Sequence, residues 1–225
     1  MRPIERGPIP SIGAAQKVYA QYADARGDLF ERLGRYCSFC ERPIKAGLAV
    51  EHVFHKDANP GLEREWTNFL LACVNCNSTK GTKGFTRLQL FLPDQDNTFR
   101  ALVYSVGGIV SSNSTLSPPQ KAKATRLIRL VGLDRSPTND PQAKDMRWND
   151  RREAWDKATR YRTKYQQDAV AVDTVVDLCL ADGHWSIWMT VFAGENIVII
   201  ALITAFVGTA NCFDTAGLPI ARGQV

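Results

Sequence analysis

The chain has 225 residues, of which 44% are hydrophobic and 23% charged, an ordinary globular balance that excludes general disorder and fibrous repeats. At this length roughly 70% of the unfolded surface can be buried, enough for one large domain or a core with an appendage. The net charge of +5 is unevenly spread: Lys121–Lys164 holds 13 Lys/Arg against 6 Asp/Glu, whereas beyond it only Arg222 faces six acids. A nucleic-acid ligand would favour the middle of the chain and avoid its end; solvated helical faces account for the same charges. Met1–Pro10 has three prolines and no apolar stretch, and the longest apolar run, Ile197–Val207, is eleven residues, short of the roughly 18–20 that span a bilayer. No secretory signal or membrane span is therefore expected, and the expected location is cytoplasmic.

From Ser11 to Arg35, Val18, Tyr19, Tyr22, Phe30 and Leu33 recur at near-helical spacing, and Gly34 offers a stop. Residues 36–90 hold four cysteines, two histidines and a Gly/Lys-rich turn at 80–84. Phe99–Val106 reads as a strand, Gly107-Gly108 as its turn and Ser111–Pro119 as a polar connection. Lys121–Val131 returns to helical spacing through Ala124, Leu127, Ile128 and Val131. Pro137–Pro141 breaks the pattern, and a second basic helix is expected over about Lys144–Lys164. The remainder reads as helix, glycine turn, strand (Trp185–Phe192) and apolar helix (Ile197–Val207). No internal repeat is present. The expected units are 1–35, helical; 36–90, a four-cysteine core; 91–164, hairpin and basic helices; and 165–225, an acidic and apolar α/β element.

The cysteines carry the first chemical signal. Cys37-Ser-Phe-Cys40 and Cys73-Val-Asn-Cys76 stand 32 residues apart. Each CxxC sets two thiolates on one tight turn, and two such turns complete a tetrahedral zinc site with no open position, hence a structural one. Cys179 and Cys212 lie in apolar surroundings and read as buried thiols.

Within the 32-residue gap lie Glu51-His52 and Trp66-Thr67-Asn68, and the second pair runs on as Cys76-Asn77-Ser-Thr-Lys80-Gly81. This order resembles the HNH (ββα-metal) endonuclease family over residues 36–84. Phosphodiester hydrolysis needs a base for water and positive charge on the phosphate oxygens. A histidine accepts a proton near neutral pH, and an amide oxygen suits Mg²⁺. The resemblance implies His52 as general base, with Glu51 and Asn77 as ligands of a Mg or Mn ion. It further implies Asn68 orienting the histidine and its loop, and Lys80 and Lys83 on phosphate. His55 stands where relatives often have proline. With Lys56 it is a candidate nucleic-acid contact, and His55 is also a candidate metal contact or a plain loop residue. Trp66 is expected in the core and His184 in a structural role.

More loosely, the same residues, with Cys40-Glu41 and Ala124–Asp134, are similar to the HNH subunit of Septu-type and retron-associated anti-phage systems. That likeness implies a DNA substrate, an antiviral role and an ATPase partner docked through the C-terminal region. Two readings stand beside it: a catalytically silent zinc module that binds nucleic acid or a partner, and a stand-alone restriction nuclease. The expected fold is α+β: a zinc-pinned ββα-metal core with flanking helices and a small C-terminal α/β element.

Overall fold

The computed structural model describes residues 1–139 and 144–225; Pro141, part of the expected helix break, lies outside the described residues. The first departure from expectation comes at the N-terminal end. Ser11–Ile12 (β1) and Ala15–Gln16 (β2) form a tiny antiparallel hairpin turned at Gly13, and only Arg26–Leu33 (α1) is helical beyond a single turn at Tyr22–Ala25. Val18 is 88% exposed, so its place in the apparent helical pattern was fortuitous. Tyr19 does reach the core, against Trp66 and Phe69. Gly34 ends α1 at φ 73°.

The central unit is two antiparallel strands followed by a helix. Ala49–His52 (β3) pairs with Phe69–Ala72 (β4) in the register Glu51 to Leu70 and His52 to Phe69, and Val74–Lys80 (α2) follows directly. β4 is Phe-Leu-Leu-Ala and is buried along its whole length, as a strand covered on both faces should be. The chain then makes one helical turn, Thr98–Ala101 (α3), and a second hairpin of Leu102–Ser105 (β5) with Ile109–Ser112 (β6). The Gly107-Gly108 turn is as expected, but the strand expected over Phe99–Val106 begins only at Leu102, Phe99–Ala101 being helical, and Ser111 and Ser112, expected in the polar connection, belong to β6.

Pro118–Val131 (α4) starts three residues earlier than its periodicity suggests. Ser117 and Gln120 form a capping box and proline occupies the first turn, where its missing N–H costs nothing. Left-handed Gly132 ends the helix ahead of the prolines. Arg147–Gln166 (α5) follows, and Arg151 of this helix meets Gly108 so closely that a β-carbon there would lie 2.5 Å from the Arg151 carbonyl carbon.

The segment from Val172 to Ala205 is helical: Val172–Asp182 (α6), Trp185–Val191 (α7) and Asn196–Ala205 (α8). The expected strand at Trp185–Phe192 is therefore wrong, and with it the α/β character of 165–225. The segment is rich in aromatic and branched residues, but Trp185 through Met189 are all buried, so no face is left to alternate with solvent. Its first turn is fixed from outside, because the Glu41 carboxylate accepts the Ser186 N–H at 2.7 Å. Glu41 directly follows Cys40. Gly183 approaches its carbonyl so closely that a β-carbon would sit 2.3 Å away. All four expected units contribute to one hydrophobic cluster, from Leu29 through Phe69, Leu127 and Trp188. Among the described residues no helix is long and apolar enough to cross a membrane.

Candidate functional site

Two layers meet at the β3–β4–α2 unit. In the first, the Cys37–Cys40 turn is closed by backbone bonds from Glu41 N–H to Cys37 O at 2.9 Å and from Cys37 N–H to Arg42 O at 3.0 Å. Glu41 takes a left-handed φ of 65° to do so. Cys73 caps α2, its sulfur accepting the Cys76 N–H at 3.4 Å. The four sulfurs are buried and lie within 4.8 Å of one another. Thiolates about 2.3 Å from a tetrahedral zinc ion stand about 3.8 Å apart, and Cys40 and Cys73 Sγ are separated by 3.7 Å. The donor set is compatible with structural zinc. Among the described residues it is the only group of three or more His, Cys, Asp and Glu side chains close enough to share a metal.

A partner invisible in the sequence completes this layer. Arg147, at the start of α5, donates Nη1–H to Cys76 Sγ at 2.7 Å and Nε–H to both Asp145 oxygens at 2.9 Å. A cation held against a tetrathiolate site offsets its negative charge, and such outer partners commonly govern metal retention. Arg147→Met is expected to speed zinc transfer to a chromogenic chelator by about tenfold, with the helical circular-dichroism signal retained.

The second layer lies at the end of β3, where consecutive residues point to opposite faces. Glu51 is buried and paired with Lys80 at 2.7 Å; burial pushes its carboxyl up while the Lys80 ammonium opposes the shift. Lys80, expected on phosphate, is not available to it. The side chain is 1% exposed and its Nζ also donates to His52 O at 2.8 Å. It braces the strand from below, because a lysine one turn after Cys76 on the same face of α2 points into the hairpin. Breaking a buried pair strands the remaining charge, so Lys80→Met is expected to cost about 3–5 kcal/mol in denaturant-unfolding free energy.

His52 is nearly buried, its ring edge-on to Tyr22 at 4.7 Å and Phe69 at 5.5 Å. Its Nε2 lies 2.9 Å from the Glu63 carbonyl oxygen. A carbonyl only accepts, so Nε2 carries the proton, and in the neutral ring Nδ1 keeps the lone pair. Burial pushes the His52 pKa down, favouring that neutral form. Asn68 is buried and clamps the long β3–β4 connection. It accepts Phe54 N–H at 2.8 Å and donates to Phe54 O at 2.9 Å and Leu62 O at 3.1 Å. That clamp holds the loop whose Glu63 meets the histidine. Asn77, on the first turn of α2, is half-buried, and its side chain makes no hydrogen bond among the described residues.

The flanking residues are more open. His55 Nδ1 accepts the Asp57 N–H at 3.3 Å. Lys56 pairs with Glu63 at 3.1 Å and lies over the Tyr22 ring. Lys83 is exposed and donates to Thr79 O at 2.6 Å. Trp66 is buried and its indole N–H donates to Gly7 O at 2.9 Å. Cys179, Cys212 and His184 are buried. Sequence reasoning missed Glu63, Tyr22, Asp145 and Arg147. Tyr22 showed only as part of a helical pattern, and the others gave no local signal.

The HNH endonuclease family model matches residues 37–83, the span that holds both cysteine pairs, Glu51, His52, Asn68, Asn77 and Lys80. No curated protein matches the chain.

Proposed function

We propose that this chain is a divalent-metal-dependent endonuclease that hydrolyses DNA phosphodiester bonds, with His52 as general base. The observation that carries the reading is the state of that imidazole. It sits at a strand end with Nε2–H given to the Glu63 carbonyl, so the free lone pair on Nδ1 can accept a proton from water. As the proton moves to Nδ1, the water oxygen bonds to phosphorus and the bond to the leaving sugar oxygen breaks.

Glu51 and Asn77 would hold the Mg or Mn ion. Lys80 meets Glu51 at Oε1, leaving the second oxygen as a donor. The Asn77 amide makes no hydrogen bond among the described residues, and two hard oxygen donors suit an ion that retains several waters. Bound there, the cation would supply positive charge against the negative charge developing on the phosphate oxygens. Asn68 positions the loop behind His52, and Lys83, His55 and Lys56 would meet the substrate backbone. The zinc knuckle holds β3 and α2 together and takes no part in the reaction.

The finer placement, an anti-phage effector working with an ATPase partner through residues 165–225, is supported by the motif likeness alone. A silent zinc module would account for the cysteines but leave the Glu51–His52–Asn68–Asn77 arrangement without a purpose. Supercoiled plasmid incubated with the zinc-loaded protein tests the reading. Nicked or linear product is expected with Mg²⁺ or Mn²⁺ and none with EDTA. Intact plasmid under every divalent metal would favour the silent module, and cleavage confined to methylated or unmethylated plasmid would identify a restriction nuclease.

A further inference from the structure

The substrate's path beyond the reacting bond is the part of the molecule that this chemistry leaves unassigned. α4 carries Lys121, Lys123, Arg126 and Arg129 and no acidic residue. Its other face, Ala124, Leu127, Ile128, Leu130 and Val131, is buried, so the cations are confined to the outer face. Arg126 and Arg129 are exposed, and among the described residues none of the four lies in ion-pair contact with a carboxylate. Like charges three residues apart repel on a helix surface, and among the described residues no carboxylate offsets them, although Lys123 Nζ donates to Gln224 Oε1. α5 is mixed: Lys157 pairs with Asp182 and Arg162 with Glu195, while Arg160 and Lys164 lie over the Tyr161 ring.

The position of α4 gives the charges a direction. Its C-terminal end packs on α2, where Arg135 Nη1 lies 3.3 Å from Thr79 Oγ1. Lys83 reaches the Thr79 carbonyl at 2.6 Å. Two cations therefore converge on the last turn of the helix that bears Asn77, Arg135 lying also 4.0 Å from an Asp145 oxygen, and Arg129 and Arg126 continue the row away from it. At 1.5 Å per residue the α4 cations extend about 12 Å. A nucleic-acid strand carries a charge about every 3.4 Å of axis, so the row matches about three phosphates.

From this geometry we infer that the outer face of α4, with Arg135 and Lys83, binds the phosphodiester backbone of the duplex flanking the cleaved bond. The contacts are to phosphate, so they supply affinity and register without sequence discrimination. The inference rests on the nuclease reading above, and the test separates the two by measuring binding in the absence of cleavage.

The zinc-loaded full chain carrying His52→Ala is titrated with a fluorescein-labelled 30-mer duplex DNA, and in parallel with the matching RNA duplex, at several salt concentrations. Adding Arg126→Glu and Arg129→Glu is expected to weaken binding at least about tenfold and to flatten the log–log salt dependence by about two. An exposed pair of equal charge on α5, Arg160→Glu with Lys164→Glu, is expected to leave both nearly unchanged. The loss on either duplex supports the inference, and the duplex that binds more tightly identifies the sugar preferred. Unchanged binding in the α4 variant overturns it, as does an equal loss in the α5 variant, which would reduce the effect to net charge. If wild type never cuts plasmid but the α4 variant alone loses binding, the nuclease reading fails and the phosphate row stands.

Discussion

His52→Ala is expected to abolish metal-dependent plasmid cleavage, lowering the rate by about 10²–10⁴-fold, the usual contribution of a positioned general base. The residue is nearly buried, so the fold must be shown to survive. The removed ring leaves a gap beside Tyr22 and Phe69 and an unpaired Glu63 carbonyl, for which about 1–3 kcal/mol is expected. Zinc content and the unfolding transition should therefore remain measurable while cleavage is lost. His52→Gln separates the roles further, because an amide can still meet the Glu63 carbonyl but has no basic nitrogen. If His52→Gln cuts at the wild-type rate, His52 is not the base.

Removal of zinc is expected to have the largest effect on stability. Structural zinc contributes about 10–16 kcal/mol in finger peptides, comparable to the whole stability of a domain, about 5–15 kcal/mol. In this chain the ion would join the turn before β3 to the start of α2. Arg147 and Glu41 transmit that junction to α5 and α7, so the loss should not stay local. Stripping with a strong chelator, or Cys76→Ser, is expected to lower the melting temperature sharply and expose both the β3–β4 connection and the start of α5 to limited proteolysis. The cleavage points should appear together, since Arg147 would face a sulfur cluster without its cation. Cys179→Ser and Cys212→Ser, outside the cluster, are expected to retain full zinc stoichiometry. An unchanged melting curve in fully stripped protein would show that the cysteines hold no structural ion.

The sequence by itself determined what lies within a strand, a turn or one helical repeat. The CxxC pairs dictate a shared sulfur cluster, because a two-residue spacing leaves each pair one geometry. Glu51-His52 dictates opposite faces at one strand end, whereas Asn77-x-x-Lys80-Gly81 closes α2 instead of opening it, the helix starting at Val74 under the Cys73 cap. The β5–β6 hairpin and the apolar stripe of α4 were equally local. Only the tertiary structure decided what those residues meet. Lys80 was legible as a cation near the site, but its pairing with Glu51 depends on how α2 packs under the hairpin. Glu63 reaches His52 across eleven residues of irregular loop, and Arg147 reaches Cys76 across 71. The helix at Trp185–Val191 replaced the expected strand for the same reason. Buried on all sides, it lost the polar–apolar rhythm by which local sequence records its own conformation, and its form was set by α5 and by the carboxylate of Glu41.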